Sequence, residues 1–126
     1  MNTKTERIRQ ELEQLQLKNP KLHKMLEIAD QYVALEFGKE ITLTELYRSE
    51  DEYKHLYAAD LSKMPVHRPH SRWEAADIRS SVFTDLEIQK LLVLFHLFTS
   101  YGGQRTSAIY HQISGNVLHF HVQHEV

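Results

Sequence analysis

The residues of this chain best suited to chemistry are histidines and one aspartate. His70 follows Pro69 in "RPHSRWEAAD", and six residues separate it from Asp77, a carboxylate set inside the apolar run "AADI". Near the C-terminus, "VLHFHVQ" places His119 and His121 two apart in a run that otherwise reads as a strand, so both project from one face. The chain contains no cysteine, which rules out disulfides and thiolate zinc sites. A transition metal would have to be held by imidazole and carboxylate. Three protein ligands with an open fourth position is the arrangement of catalytic rather than structural zinc, and His70, Asp77 and one of the paired histidines meet that count.

Each feature also has a plainer explanation. The His-x-His pair fits an exposed strand face with two solvated imidazoles. A buried, unpaired Asp77 would cost several kcal/mol, a cost that a metal removes but that a pairing with Arg79 or a helix N-terminus would also remove. His67, three positions before His70, competes with it as a ligand. His23 and His55 read as solvated residues on helix surfaces. His96, inside "LLVLFHLF", reads as a core histidine with a hydrogen-bond partner. His111 and His124 read as hairpin histidines, His111 reaching the site if the strand register allows.

These residues must be positioned by elements that the sequence marks in order. Ile8, Leu12 and Leu15 recur at helical spacing and predict a helix over residues 5–18. Asn19-Pro20 is an N-cap followed by proline at the first helical position, opening a second helix. That helix runs through Leu22, Met25, Leu26, Ala29, Val33 and Leu35 and stops at Gly38. "ITLTELY" (41–47) alternates like a strand. Ser49 and Glu52 form a capping box that starts a short helix reaching about Ala58. Residues 59–72, with Pro65 and Pro69, predict an irregular loop, and "EAADIRS" the next strand. "TDLE" (84–87) repeats the capping-box pattern and opens a long, mostly buried helix ending at Gly102-Gly103. "TSAIYHQI" and "VLHFHVQHEV" flank "SGN" as a terminal hairpin. The expected class is α+β, a small antiparallel sheet covered by helices, in one domain over residues 1–126 with 1–19 as a helical extension.

A chain of 126 residues is long enough to bury about two-thirds of its unfolded surface. A net charge of −2 supplies no field to attract nucleic acid or an anionic membrane. The N-terminus, "MNTKTERIRQELEQ", lacks the apolar core of a secretory signal. "LLVLFHLF" is far shorter than the roughly 20 residues a membrane span needs. The expected protein is a monomer, cytoplasmic until released by another agent.

The motifs together resemble a family. "HSRWEAAD" matches the histidine, six residues, then aspartate of the D-Ala-D-Ala metallopeptidases, and "HFH" matches their His-x-His motif. The upstream "ITLTELYRSEDE" is similar to the strand and "YR" segment before the first zinc ligand in that family. The resemblance spans about residues 20–124. It implies the zinc fold shared by these enzymes, lysostaphin-type peptidases and the hedgehog signalling domain. It further implies Zn2+ held by His70, Asp77 and His121, with His119 as the catalytic histidine and Arg48 facing the substrate. The activity implied is hydrolysis of peptidoglycan stem peptides or cross-links, as in phage endolysins. A D,D- or L,D-carboxypeptidase or dipeptidase is the nearest alternative, and a catalytically silent zinc-binding structural module is the rival from another class. Three positions depart from the family. The acid usual three residues before the last zinc histidine is Leu118. The glycine usual three after the first ligand is Trp73, which could wall the substrate groove. The small hydroxyl residue often two before that ligand is Arg68. The plain alternative for Arg48 is a surface ion pair with Glu50 or Asp51.

Overall fold

Local capping chemistry starts and stops the helices. The computed structural model describes residues 1–102, 106–111 and 119–125. Helix α1 (Glu6–Lys18) begins where the Thr5 hydroxyl accepts from the Ile8 amide. Helix α2 (Pro20–Phe37) begins where the Asn19 side chain accepts from the Leu22 amide at 3.1 Å, with Pro20 in the first turn. It ends at Gly38, whose φ of 62° is left-handed and costs glycine little. Helix α3 (Glu50–Leu56) carries the complete Ser49–Glu52 capping box. Helix α4 (Asp85–Gly102) starts with reciprocal Thr84–Glu87 bonds. Each of these caps involves residues only a few positions apart, so the sequence motifs carry them. The "SGN" turn and Gly103 lie outside the described residues.

The strands are β1 (Asn2–Thr3), β2 (Thr42–Glu45), β3 (Ala75–Arg79), β4 (Thr106–His111) and β5 (His119–His124). They form one sheet in the order β1-β2-β3-β5-β4. The β2–β3, β3–β5 and β4–β5 pairs are antiparallel, as expected. The sheet is nevertheless mixed, because β1 pairs in parallel with β2. Two residues offer no alternation to read, so that strand has no sequence signal. Helix α3 stops at Leu56, short of Ala58, and β2 at Glu45, short of Tyr47. The loop of residues 59–72 contains two short 3-10 turns, Leu61–Lys63 and Pro69–Arg72.

One face of the sheet makes the core. Leu43, Ala76, Ile78, Phe120 and Val122 are buried against Leu22, Leu26, Ala29 and Val33 of α2 and against Leu91 and Phe95 of α4. Ile8 and Leu15 of α1 join the same cluster, so the first 19 residues contribute to the core. Two expectations about helix faces do not hold. Leu35 is 85% exposed, because it lies off the face that Val33 and Phe37, four apart, turn to the core. His96 is exposed rather than in the core: α4 buries Ile88, Leu91 and Phe95 but turns Val93, His96 and Leu97 outward. The imidazole keeps a partner, with Nε2 3.3 Å from the Ala108 carbonyl. An almost wholly apolar run has no polar positions to show which side faces the core. Among the described residues, no helix is long and apolar enough to cross a membrane.

Candidate metal centre

The other face of β3 and β5 carries the polar cluster. Antiparallel pairing sets Asp77 opposite His121 and Arg79 opposite His119, and opposed residues share a face. His70 reaches the same place from the 3-10 turn Pro69–Arg72. That turn is tied to the segment that follows β2. The Arg48 amide donates to the His70 carbonyl at 3.4 Å, and the Ser71 hydroxyl donates to the Arg48 carbonyl at 2.6 Å. Asn19 secures the far ends of the strands: its buried amide donates to the Trp73 and His124 carbonyls, each at 2.9 Å. One residue thus caps α2, holds the junction between the His70 turn and β3, and holds the end of β5.

His70, Asp77 and His121 each present a ligand atom, all within 4.8 Å of one another. Asp77 Oδ1 lies 3.0 Å from His121 Nδ1 and 3.4 Å from His70 Nε2. The other oxygen, Oδ2, lies 3.6 Å from His119 Nε2. The remaining nitrogens of both triad histidines are engaged. His70 Nδ1 is 2.7 Å from the Leu46 carbonyl, which can only accept, so that nitrogen bears a proton and Nε2 is the ring atom turned to the cluster. His121 Nε2 lies 3.0 Å from Gln123 Oε1. Two imidazoles and a carboxylate, oriented in this way, suit a transition-metal ion.

Electrostatics follow from this crowding. Burial alone would raise the Asp77 carboxyl, but hydrogen bonds and charge from His121 and His70 outweigh it and hold the group far below the usual carboxylate range. Burial pushes the His121 imidazole down, yet its bond to Asp77 and the Asp77 charge win, and it titrates above its ordinary value. The charge of Arg48 opposes that rise. Asp77 is thus held by His121 and His70, and neither Arg79 nor a helix N-terminus is needed to pair it.

The cluster lies on the wall of a cavity of about 670 Å³, a size ordinary for a small-ligand site. His70, Asp77 and His121 line it together with Arg48, Tyr53 and Gln123. Arg48 is mostly buried, pairs with Glu45 at 3.2 Å and lies over the Tyr53 ring at 4.8 Å, so neither Glu50 nor Asp51 holds it. Those two acids belong to the first turn of α3, where Glu50 instead pairs with Arg68 at 2.7 Å. His67 lines the cavity but stands outside the triad. Among the described residues, His119 is not on the cavity wall; it meets the site through Asp77.

Trp73 does not wall the groove. Its ring stacks on Tyr47, centroids 4.8 Å apart, and packs against the core. The backbone there is left-handed, φ 59°, which turns the chain from the His70 segment into β3. His23 pairs with Glu27 at 2.9 Å, and His55 is exposed. His124 is buried, with Nδ1 2.7 Å from the Glu125 carbonyl. The backbone of His111 lies opposite His119 in the sheet. Leu118 lies outside the described residues. Sequence reasoning missed Gln123 and the Leu46 carbonyl. Gln123 had a legible signal, since it continues the one-face alternation of His119 and His121. No family model, no curated protein and no solved structure matches this chain.

Proposed function

We propose that the protein is a zinc-dependent peptidase acting on peptidoglycan stem peptides or cross-links, with the zinc fold that the motif resemblance implies. The observation that carries this reading is the meeting of His70, Asp77 and His121, from a loop turn and two strands, on the wall of a cavity that also holds Arg48. A second observation supports the resemblance: Trp73, where the family usually has glycine, takes a backbone conformation that favours glycine.

His70, Asp77 and His121 would hold the ion. The chemistry supplied by zinc when bound is activation of water near neutral pH and polarisation of a carbonyl oxygen. Arg48 presents a fixed positive charge to the same cavity, where it stabilises the oxygen that becomes negative during acyl transfer. In this reading His119, which meets the site through Asp77 and shares a strand face with His121, would accept or deliver a proton. Arg48 also suits a substrate's terminal carboxylate, and this favours a D,D- or L,D-carboxypeptidase as the second reading.

The test is digestion of purified peptidoglycan by wild type, His119→Ala and Arg48→Ala, with products read by mass spectrometry. Both variants are expected to keep zinc, and Arg48→Ala to lose ~10²-fold or more in kcat/KM. New carboxylates inside the stem mark an endopeptidase, and release of terminal D-Ala alone marks the carboxypeptidase. Zinc-loaded wild type yielding no product from any wall type tested would leave a silent zinc-binding module. His119→Ala losing zinc as fully as His121→Ala would make His119 a ligand.

A further inference from the structure

We infer that Gln123 is a positioning residue for the metal centre, fixing the tautomer and ring orientation of His121. The inference rests on the metal-site part of the reading above and not on the peptidase activity.

The His121 nitrogen that faces the cluster is Nδ1, 3.0 Å from Asp77 Oδ1. An ion bound there needs the Nδ1 lone pair, so the ring's single proton must sit on Nε2. Mostly withdrawn from solvent, that N–H requires an acceptor. Gln123 Oε1 stands 3.0 Å from Nε2 and supplies one. The placement is a consequence of the strand. Residues two apart on β5 share a face, so Gln123 follows His121 on the cavity side. Its backbone is fixed opposite Ala75 of β3, the strand that carries Asp77. The ligand, its carboxylate partner and its orienting amide are therefore held by one ladder of hydrogen bonds.

His70 shows the same logic with the nitrogens exchanged. Its Nδ1–H donates to the Leu46 carbonyl, and Nε2 faces the cluster. With an ion bound the two histidines would use opposite tautomers, one selected by main chain and the other by a side chain that mutation can reach. An amide is a weaker acceptor than a carboxylate, so Gln123 leaves His121 less electron-rich than glutamate would.

The experiment measures zinc affinity by chelator competition in the full chain for wild type, Gln123→Leu and Gln123→Glu. Imidazole nitrogen NMR of the zinc-loaded proteins accompanies it. Gln123→Leu should bind zinc ~10- to 100-fold more weakly with its circular dichroism unchanged. Gln123→Glu should bind at least as tightly as wild type, with the His121 Nε2 proton retained and its resonance shifted by the stronger acceptor. A folded Gln123→Leu within about threefold of wild type would sink the inference while leaving the zinc site standing. If Gln123→Leu does not fold, Gln123→Glu decides: weaker binding than wild type overturns the proposal. Wild type that takes up no zinc removes the metal reading and this inference together. Wild type that binds zinc but cleaves nothing removes only the peptidase.

Discussion

The two faces of strand β5 are made from alternating residues of one short run, yet they obey different rules. On one face, Phe120 and Val122 are fully buried among apolar neighbours. On the other, His119, His121 and Gln123 are partly buried, and His121 has a partner at each ring nitrogen. The apolar face gains stability from area and packing, which are non-directional and tolerate exchange of similar volumes. The polar face depends on individual atoms at individual distances, and an unpaired buried group there costs more than the pair contributes. Apolar packing is concentrated on one side of the sheet and the candidate metal cluster on the other. A strand's two-residue period keeps them apart.

The sharpest break of this contrast is Phe120→Ala. Removing that ring should cost ~3–5 kcal/mol in urea denaturation. It should also weaken zinc binding, because Phe120 separates His119 from His121 on the same strand. A loss below ~1 kcal/mol would show that the core face does not hold the site in place.

Next in size is the effect of the ion. Zinc at about 100 times its Kd should raise the stability of wild type by ~2.7 kcal/mol, seen as a higher melting temperature. Asp77→Asn should fold but respond to zinc far less, since a neutral amide is a poor ligand. An equal rise in both proteins would remove Asp77 from the ligand set.

A smaller effect is the pH dependence of the metal-free chain. Asp77 is held below its ordinary value of 3.8, so its contribution is complete above that pH and is lost as pH falls through the lower folded value. His121 is raised above its ordinary 6.5, so its contribution is complete below that pH and is lost as pH rises through the folded value. The pair therefore stabilises most between those two ordinary values and fades above the upper one. Melting curves of chelator-treated wild type should fall on this alkaline side, and Asp77→Asn should be flatter. Matching curves would mean the pair contributes nothing measurable. The smallest change expected is Leu35→Lys, within ~0.5 kcal/mol of wild type, because Leu35 is exposed.

Much of the architecture is written in short-range pattern. The Thr5, Asn19, Ser49 and Thr84 caps, the Gly38 stop and the alternation of β5 each involve residues a few positions apart. Backbone sterics and local hydrogen bonds act over that range, so composition and spacing suffice to locate them. The same holds for the types of the candidate ligands. A cysteine-free chain leaves imidazole and carboxylate as donors for a transition metal, and the choice of His70, Asp77 and His121 among them came from the motif resemblance.

What only the tertiary structure decided is which distant atoms meet. Asp77 faces His121 through the β3–β5 register. The Leu46 carbonyl orients His70 across 24 residues, and Asn19 reaches His124 across 105. Arg48 found Glu45 and Tyr53 instead of the acids beside it in sequence, and Trp73 found Tyr47 instead of the cavity. Which side of α4 faces inward, and the parallel pairing of β1, were likewise settled by packing. Such choices depend on the burial and hydrogen bonding of the whole chain at once. A main-chain carbonyl is common to every residue, so nothing in the sequence marks Leu46 as the acceptor that sets the tautomer of His70.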